Sequence, residues 1–547
     1  MMIRAILLGT TACVLLAAQA HAQNENSAPP AKHHRAESIA TRLDRLERII
    51  ESQQLEIHQL KAQLGRGSIS GGATSAAVQP QPPAAQPEVS ATEFQALQNQ
   101  IYEQEAAQKK QPIVTFNKGR PTISSSDGRW TFSPRVDVMG DFASYDARHQ
   151  TVAGIALKQS GENFRRAQIG FQGTMAGDFS YRFIYDFGGS NGDETYQAAL
   201  CGTNAAQKLC TTGAGTGPHI KEAWVGYTGI LSPFTFQIGA LPPPANLGDA
   251  TAADDLLFNE RASPAQLSRG LGGDDSRESV GFIGNGTFWN ASAYLTGDTV
   301  GKADLIAPGS SQEAVVGRVA FAPIHDPDTN FTIHVGVNGT DVIRPPESTS
   351  VSGSTGQPVT GDFITFSDRP ELRVDNVTFL NSGAIAAKSA HAVGLEGAVS
   401  YGPLLLEGEN LWYGIERTPT KGKSSPDFSG WYVEGSWVIT GEERKYNMAQ
   451  AAFTRPDPDE AFDPANGAWG AWEVAGRYSS TDLVYHAGLS DAVYGGKQNI
   501  WSLGLNFYPI YNLKMMFDYE HVDVSDVGKL NNNGEFTVLG MRTQVSF

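Results

Sequence analysis

The residues of this chain best suited to chemistry are basic, and most stand singly inside segments whose apolar and polar residues alternate. Arg135, Arg166, Arg182, Arg318, Arg477 and Arg542 fall on the polar face of such segments. Arg165 sits beside Arg166, Lys221 opens another segment, and Arg261, Arg269 and Arg277 cluster in the connection 241–278. A guanidinium stays charged and presents a rigid fork of donors that matches phosphate or carboxylate bidentately. Arginines on one face of extended segments would therefore suit an anion path. Acids share these faces: Asp137, Asp141, Asp186, Glu396, Glu434 and Glu473, with Asp249, Asp254, Asp255, Glu260, Asp274 and Asp275 in the connection. Each arginine thus has two roles open to it, meeting a solute or pairing with an acid to hold a loop against a wall.

Other constellations are weaker. Gly188-Gly189-Ser190-Asn191-Gly192 fits G-x-S-x-G, but that motif needs a strand-to-helix elbow with Asp and His partners on an α/β sheet. It falls here in a connection with no such elbow, so a hydrolase is the least favoured function. Asp457, Asp459, Glu460 and Asp463 could hold Ca²⁺, but Pro456, Pro458 and Pro464 fit no EF-type spacing. Lys32-His33-His34-Arg35 reads as a solvated basic leader rather than a metal site. No cofactor is expected.

The elements that must position the arginines are strands. Trp130, Phe132, Pro134, Val136, Val138, Gly140 and Phe142 take even positions and polar residues most odd ones. Tyr181, Phe183, Tyr185 and Phe187 alternate with Arg182, Ile184 and Asp186, and Trp431, Val433, Gly435, Trp437 and Ile439 with Tyr432, Glu434 and Ser436. Such segments number sixteen between 130–142 and 535–547, an even count as bacterial barrels require. Connections alternate between short turns, such as Met175-Ala176-Gly177 and Gly402, and long loops, 188–220, 241–278 and 341–389. The stretch 440–468 breaks this rule, being long where a short turn is due. Composition agrees: 59 Gly, 26 Phe, 17 Tyr and 9 Trp in 547 residues, only 18% charged, leave an outer-membrane β-barrel open. A net charge of −17 argues against nucleic acid as a partner.

Residues 1–22 read as a signal peptide, with Arg4, an apolar core Ala5–Ala18 and a cleavage site Ala20-His21-Ala22. In an exported chain Cys201 and Cys210 could form one local disulfide or remain as thiols. Within the arm 23–65, Ile39, Leu43, Leu46, Ile50, Gln53, Ile57, Leu60 and Leu64 follow a heptad seam, predicting a coiled coil. Residues 66–111 read as a flexible linker with a short helix at about 93–108, and 112–547 as the barrel. The last residues, Leu539 to Phe547, alternate and end in Phe, like the signature read by barrel-assembly machinery. The expected fold is all-β: a sixteen-stranded antiparallel outer-membrane barrel with an N-terminal periplasmic coiled-coil helix.

From about 130 to 547 the chain resembles the phosphate-selective porin family, porins O and P. The matching blocks are Phe164-Arg165-Arg166-Ala167-Gln168-Ile169-Gly170-Phe171, Lys221-Glu222-Ala223-Trp224-Val225-Gly226-Tyr227, Asn259-Glu260-Arg261 and Val438-Ile439-Thr440-Gly441-Glu442. Gly467-Ala468-Trp469-Gly470-Ala471-Trp472-Glu473, Arg477-Tyr478-Ser479, Leu503-Gly504-Leu505-Asn506-Phe507-Tyr508-Pro509 and Met541-Arg542-Thr543-Gln544-Val545-Ser546-Phe547 complete the set. The resemblance implies a trimeric channel passing small anions such as phosphate or pyrophosphate by diffusion. It implies constriction arginines at Arg165, Arg166 and Arg261 and an arginine-ladder rung at Arg135. Arg165 has the wrong parity for a lumen, so a bulge or a position above the lipid is required. Lys221 departs from the acid that the family places before the Glu-Ala of strand four, and Leu247-Gly248-Asp249 lacks its constriction-loop lysine. General anion passage is therefore better supported than tight phosphate binding. The resemblance leaves out 23–110; the heptads would form a three-stranded periplasmic stalk, open to periplasmic or peptidoglycan contacts. The alternative function is a plugged barrel that tethers the envelope.

Overall fold

The computed structural model describes residues 111–547 apart from 147–150, 157–159, 189–197, 201–208, 212–218, 275, 301–310, 352–357 and 376, together with Asn99. The expected signal peptide, coiled-coil arm, most of the linker and the Cys201–Cys210 pairing lie outside the described residues.

Sixteen antiparallel strands form a closed ring. They are β1 Thr131–Asp146, β2 Ser160–Met175, β3 Phe179–Asp186, β4 His219–Tyr227, β5 Phe234–Ala240, β6 Arg277–Asn285, β7 Trp289–Thr299 and β8 Glu313–Asp326. Then follow β9 Phe331–Arg344, β10 Ile385–Tyr401, β11 Leu404–Arg417, β12 Asp427–Val438, β13 Ala471–Tyr485, β14 Val493–Ile510, β15 Leu513–Val527 and β16 Gly534–Ser546. Each strand pairs with the next in sequence, and β16 closes on β1 from Thr537↔Asp146 to Ser546↔Asp137. Closure leaves no sheet edge to the hydrocarbon, where an unpaired backbone group has no water to turn to. One strand occupies each of the sixteen expected segments.

The alternation that identified the strands separates the two faces. Along β10, Val393, Leu395 and Val399 are exposed on the outer wall, while Ala392, Gly394, Glu396 and Ala398 face inward. Trp412, Trp431, Trp437 and Trp501 add large exposed rings to that outer wall, as an interface with lipid requires. The short turns are tight for local reasons. Between β2 and β3 the chain reverses at Ala176 and Gly177, with φ of 53° and 88°, and glycine accepts that left-handed conformation without steric cost.

Three connections fold inward and fill much of the lumen. The β5–β6 loop carries two helices, α1 Leu247–Ala250 and α2 Ser263–Gly272. Leu267 and Leu271 of α2 join a buried cluster with Phe366, Tyr413, Phe428 and Tyr432. The β9–β10 loop contributes Leu372 and Phe379, packed with Tyr145, Ile500, Val522, Phe536 and Val538. The anomalous stretch 440–468 is the third: it leaves β12, forms a small hairpin of Tyr446–Asn447 with Ala452–Phe453, and packs Phe453 and Tyr446 against Leu257 and Phe258. It is long because it reaches into the barrel instead of turning at the rim. Before β1, a hairpin of Ile113–Asn117 and Arg120–Ser124 pairs with the first residues of that strand.

Candidate functional site

The inserted loops are held by arginines. Glu260, on the β5–β6 loop, meets three of them: Arg165 from β2 (Nε to Oε1 2.7 Å), Arg542 from β16 (2.8 Å) and Arg373 from the β9–β10 loop (3.7 Å). Burial alone would raise the Glu260 carboxyl, but Arg165 and Arg542 outweigh it and hold it well below the usual carboxylate range. Arg542 also grips Asp141 through two 2.7 Å hydrogen bonds and donates to the carbonyl of Asn259. Arg477 donates to the Glu260 carbonyl at 2.9 Å, pairs with Glu434 at 3.3 Å and with Glu371, and lies 4.3 Å from the Phe258 ring centre.

The rest of that group holds loop backbone or loop acids. Arg261 donates to the carbonyls of Gly248 and Thr251, at 2.6 and 3.0 Å, which fastens the end of α1. Arg277 donates to the carbonyls of Gly273, Gly297 and Gly270. Arg269 pairs with Asp249 at 2.6 Å and with Asp274. Arg318 pairs with Glu396 at 2.9 Å and donates to the carbonyls of Gln450 and Ala451, both at 2.8 Å, so it ties β8 to the third insert. Arg165, Arg261, Arg269, Arg277, Arg318, Arg477 and Arg542 are all buried.

The opposite wall is more open, although Arg166, Gln168, Asp186 and Glu222 on it are buried. α2 packs against β8–β13, whereas Arg135, Gln172, Arg182, Lys221, Trp224 and Gln237 on β1–β5 are half-buried. Arg135 Nη1 donates to Gln172 Oε1 at 3.2 Å, and Arg166 Nη1 approaches Met139 Sδ at 3.7 Å. Neither arginine forms an ion pair among the described residues. Arg182 pairs with Glu222 at 3.3 Å and lies 5.5 Å from the Trp224 ring centre. Lys221 Nζ donates to Gln168 Oε1 at 3.2 Å, and Gln168 donates to Asp186 at 2.8 Å.

Two β-bulges bring cations to this region. Met139 pairs with Arg166 and Gly140 with Phe164, so Arg165 is the extra residue that shifts the register of β2. The bulge re-aims its side chain, and Arg165 and Arg166 are both buried despite being neighbours in sequence. The parity of Arg165 required either a bulge or a position above the lipid, and the register shows the bulge. In β4, Ile220 pairs with Tyr185 and Glu222 with Ile184, leaving Lys221 as the extra residue. No feature of the sequence marks that second bulge.

The structure thus brings Arg135, Arg166, Arg182 and Lys221 together on β1–β4 and sends the other seven expected cations to loop anchors. Sequence reading missed Gln168 and Gln172, although their parity matches Arg166. It also missed Arg444 and Arg455. Arg444 pairs with Glu473 at 2.6 Å, and Arg455 reaches Asp254 at 3.3 Å and Asp255 at 3.8 Å. Burial and the adjacent Asp254 push Asp255 up to about 6. Both arginines lie in the stretch whose length was anomalous, which was the available signal.

A closed sixteen-stranded barrel, exposing apolar and aromatic side chains outward and folding a loop into its lumen, defines a porin, a channel of the outer membrane. The chain belongs to the family described as phosphate-selective porin O and P, whose model matches residues 136–547. It is similar to Porin O of Pseudomonas aeruginosa, 24% identical over 452 residues, which covers 80% of this chain and 92% of that one. Among solved structures, it is similar to the anion-selective porin from Comamonas acidovorans, at 11% identity and a TM-score of 0.42, covering 76% of this chain and 100% of that one. OmpT of Vibrio cholerae in a trimer form, at 10% identity and a TM-score of 0.43, covers 76% of this chain and 99% of that one.

Proposed function

We propose that the channel passes small anions, inorganic phosphate among them, by diffusion along the wall formed by β1–β4. The observation that carries this reading is the state of Arg135 and Arg166: both lie on the lumen face of β1–β2, Arg135 half-buried and Arg166 buried, and neither is neutralised by an ion pair among the described residues. A guanidinium without a protein counter-ion, in a pore walled by low-dielectric protein, raises the local anion concentration. Lys221 and Arg182 extend the same face. In this reading Arg165, Arg261, Arg269, Arg277, Arg318, Arg477 and Arg542 shape the passage by fixing the inserts and do not bind the solute.

The same reading takes the active unit as a homotrimer. β3 and β5 have 8 and 7 residues, short of the roughly 9–11 that a tilted strand needs to cross the hydrocarbon. That side of the barrel is better covered by a second copy than by lipid. The heptads of the arm would then form a periplasmic three-stranded stalk, available to peptidoglycan.

The test is the reversal potential of purified protein in planar bilayers across a salt gradient, followed by titration with phosphate. An anion-selective current reduced by phosphate is expected. An anion-selective current indifferent to phosphate would remove phosphate from the solutes. Cation selectivity would overturn the reading, and no conductance at all would favour the plugged barrel, which the three inserts make a real competitor.

A further inference from the structure

The more open wall is built in rungs. Met139 of β1 pairs with Arg166 of β2; two residues toward the periplasm, Asp137 pairs with Gln168, which pairs with Asp186 of β3. Two residues further, Arg135 pairs with Gly170, and beyond it Ser133 pairs with Gln172, opposite Arg182. At about 3.4 Å per residue, the Asp137 rung lies about 7 Å from the Arg135 rung and the Arg166 rung alike.

The carboxylates of this wall differ in how they are held. Asp141 is gripped by Arg542. Asp186 accepts from Gln168 and from the backbone of Ala167 and Gly188. Glu222 accepts from Arg182 and Trp224. Asp137 has no such mooring: its Oδ1 is enclosed without a hydrogen-bond partner among the described residues, in the field of Asp254, Arg166, Lys221 and Arg135. A carboxylate placed to hold a loop or neutralise one arginine would be bonded to it, as Asp141 is.

We infer that Asp137 is a specificity-determining residue of the channel, a fixed anion between two cationic rungs that speeds release and favours monovalent over divalent anions. The inference rests on the anion path proposed above. Between these rungs Asp186 is bonded to Gln168, which also accepts from Lys221, so without the unbonded Asp137 the two rungs would hold a divalent anion at both, and conduction requires that binding be weak enough to permit exit. Coulomb repulsion from Asp137 at about 7 Å acts once on chloride and twice on sulfate. At an effective dielectric of about 35, between bulk water and a protein surface site, this weakens chloride binding by about tenfold and sulfate binding by about a hundredfold.

The experiment measures conductance against concentration for potassium chloride and for potassium sulfate, in wild type, Asp137→Asn and Asp137→Glu. The expected result is a half-saturating concentration that falls by about tenfold for chloride and by distinctly more for sulfate in Asp137→Asn. Asp137→Glu should stay near wild type. If Asp137→Asn leaves the sulfate-to-chloride ratio of half-saturation unchanged, or Asp137→Glu shifts it equally, the inference is overturned. Asp137→Ser repeats the test should Asp137→Asn not assemble. The wild-type reversal potential separates the two levels: cation selectivity there would sink the anion path itself, whereas anion selectivity with an indifferent Asp137 would sink this inference alone.

Discussion

Arg542 on β16 and Arg166 on β2 flank the same strand, β1, and both are buried in the same lumen. Arg542 donates to both oxygens of Asp141, to Glu260 and to a loop carbonyl; Arg166 approaches a methionine sulfur. The two residues share a type, a parity and a neighbour. What separates them is the occupancy of the guanidinium, which the inserted loops decide. Where a loop acid pairs with the wall, arginine becomes a fastener; where none does, the proposed function leaves its charge for solute. In that proposal arginine count says little about the selectivity of such a channel, and the distribution of loop acids says a good deal.

The largest effect expected is on stability. Arg542→Met would leave Asp141 and Glu260 short of a shared cation in a buried setting, and stranding buried carboxylates costs about 3–5 kcal/mol. The gel-mobility or calorimetric unfolding transition should fall markedly, while the protein that does assemble keeps its ion preference. The mirror-image variant is Arg166→Glu. It should lower the unfolding transition less than Arg542→Met, which strands two carboxylates, and lower the anion-to-cation permeability ratio by tenfold or so, because the sign of an unpaired charge in the path reverses. If both variants moved stability and selectivity alike, the distinction between the two walls would collapse.

Smaller effects sharpen it. Arg135→Gln removes one unpaired charge near the periplasmic end and should lower the permeability ratio by roughly twofold to threefold. Acidification offers a test of the fastened side. Because Glu260 is held well below the ordinary carboxylate range, its contribution is present above the unfolded carboxyl pKa and is lost only as pH falls through its lower folded value. Unfolding temperature should therefore hold through mild acid, and in a Glu260→Gln variant it should be lower and flatter across the same window. Smallest of all is Lys118→Ala. Its pair with Asp457 at 3.0 Å is exposed, so its loss should cost under about 1 kcal/mol and leave the reversal potential unmoved.

The strands were legible because a wall between lipid and water imposes a period of two, and the eye can follow that period through Trp130 to Phe142 or Trp431 to Ile439. The bulge at Arg165 was legible for the same reason, as a break in parity. The loop anchors were not. Glu371, Arg373 and Leu372 lie in a connection without periodicity, and their partners Arg477, Glu260 and Tyr145 are far away in sequence. Nothing local records such a contact. Lys221 shows the limit on the wall itself, since a bulge that carries Lys221 and Glu222 together leaves no mark where the surrounding alternation is already interrupted by small and aromatic residues.

The central claim is that Arg135 and Arg166, and not the arginine content of the lumen, set ion preference. The most direct test is the reversal potential of the double variant Arg135→Gln, Arg166→Gln beside wild type, in planar bilayers across the same salt gradient. Wild type should be anion-selective and the double variant close to unselective, with conductance retained. A double variant as anion-selective as wild type would contradict the account, because the selectivity would then reside in the fastened arginines or elsewhere in the passage.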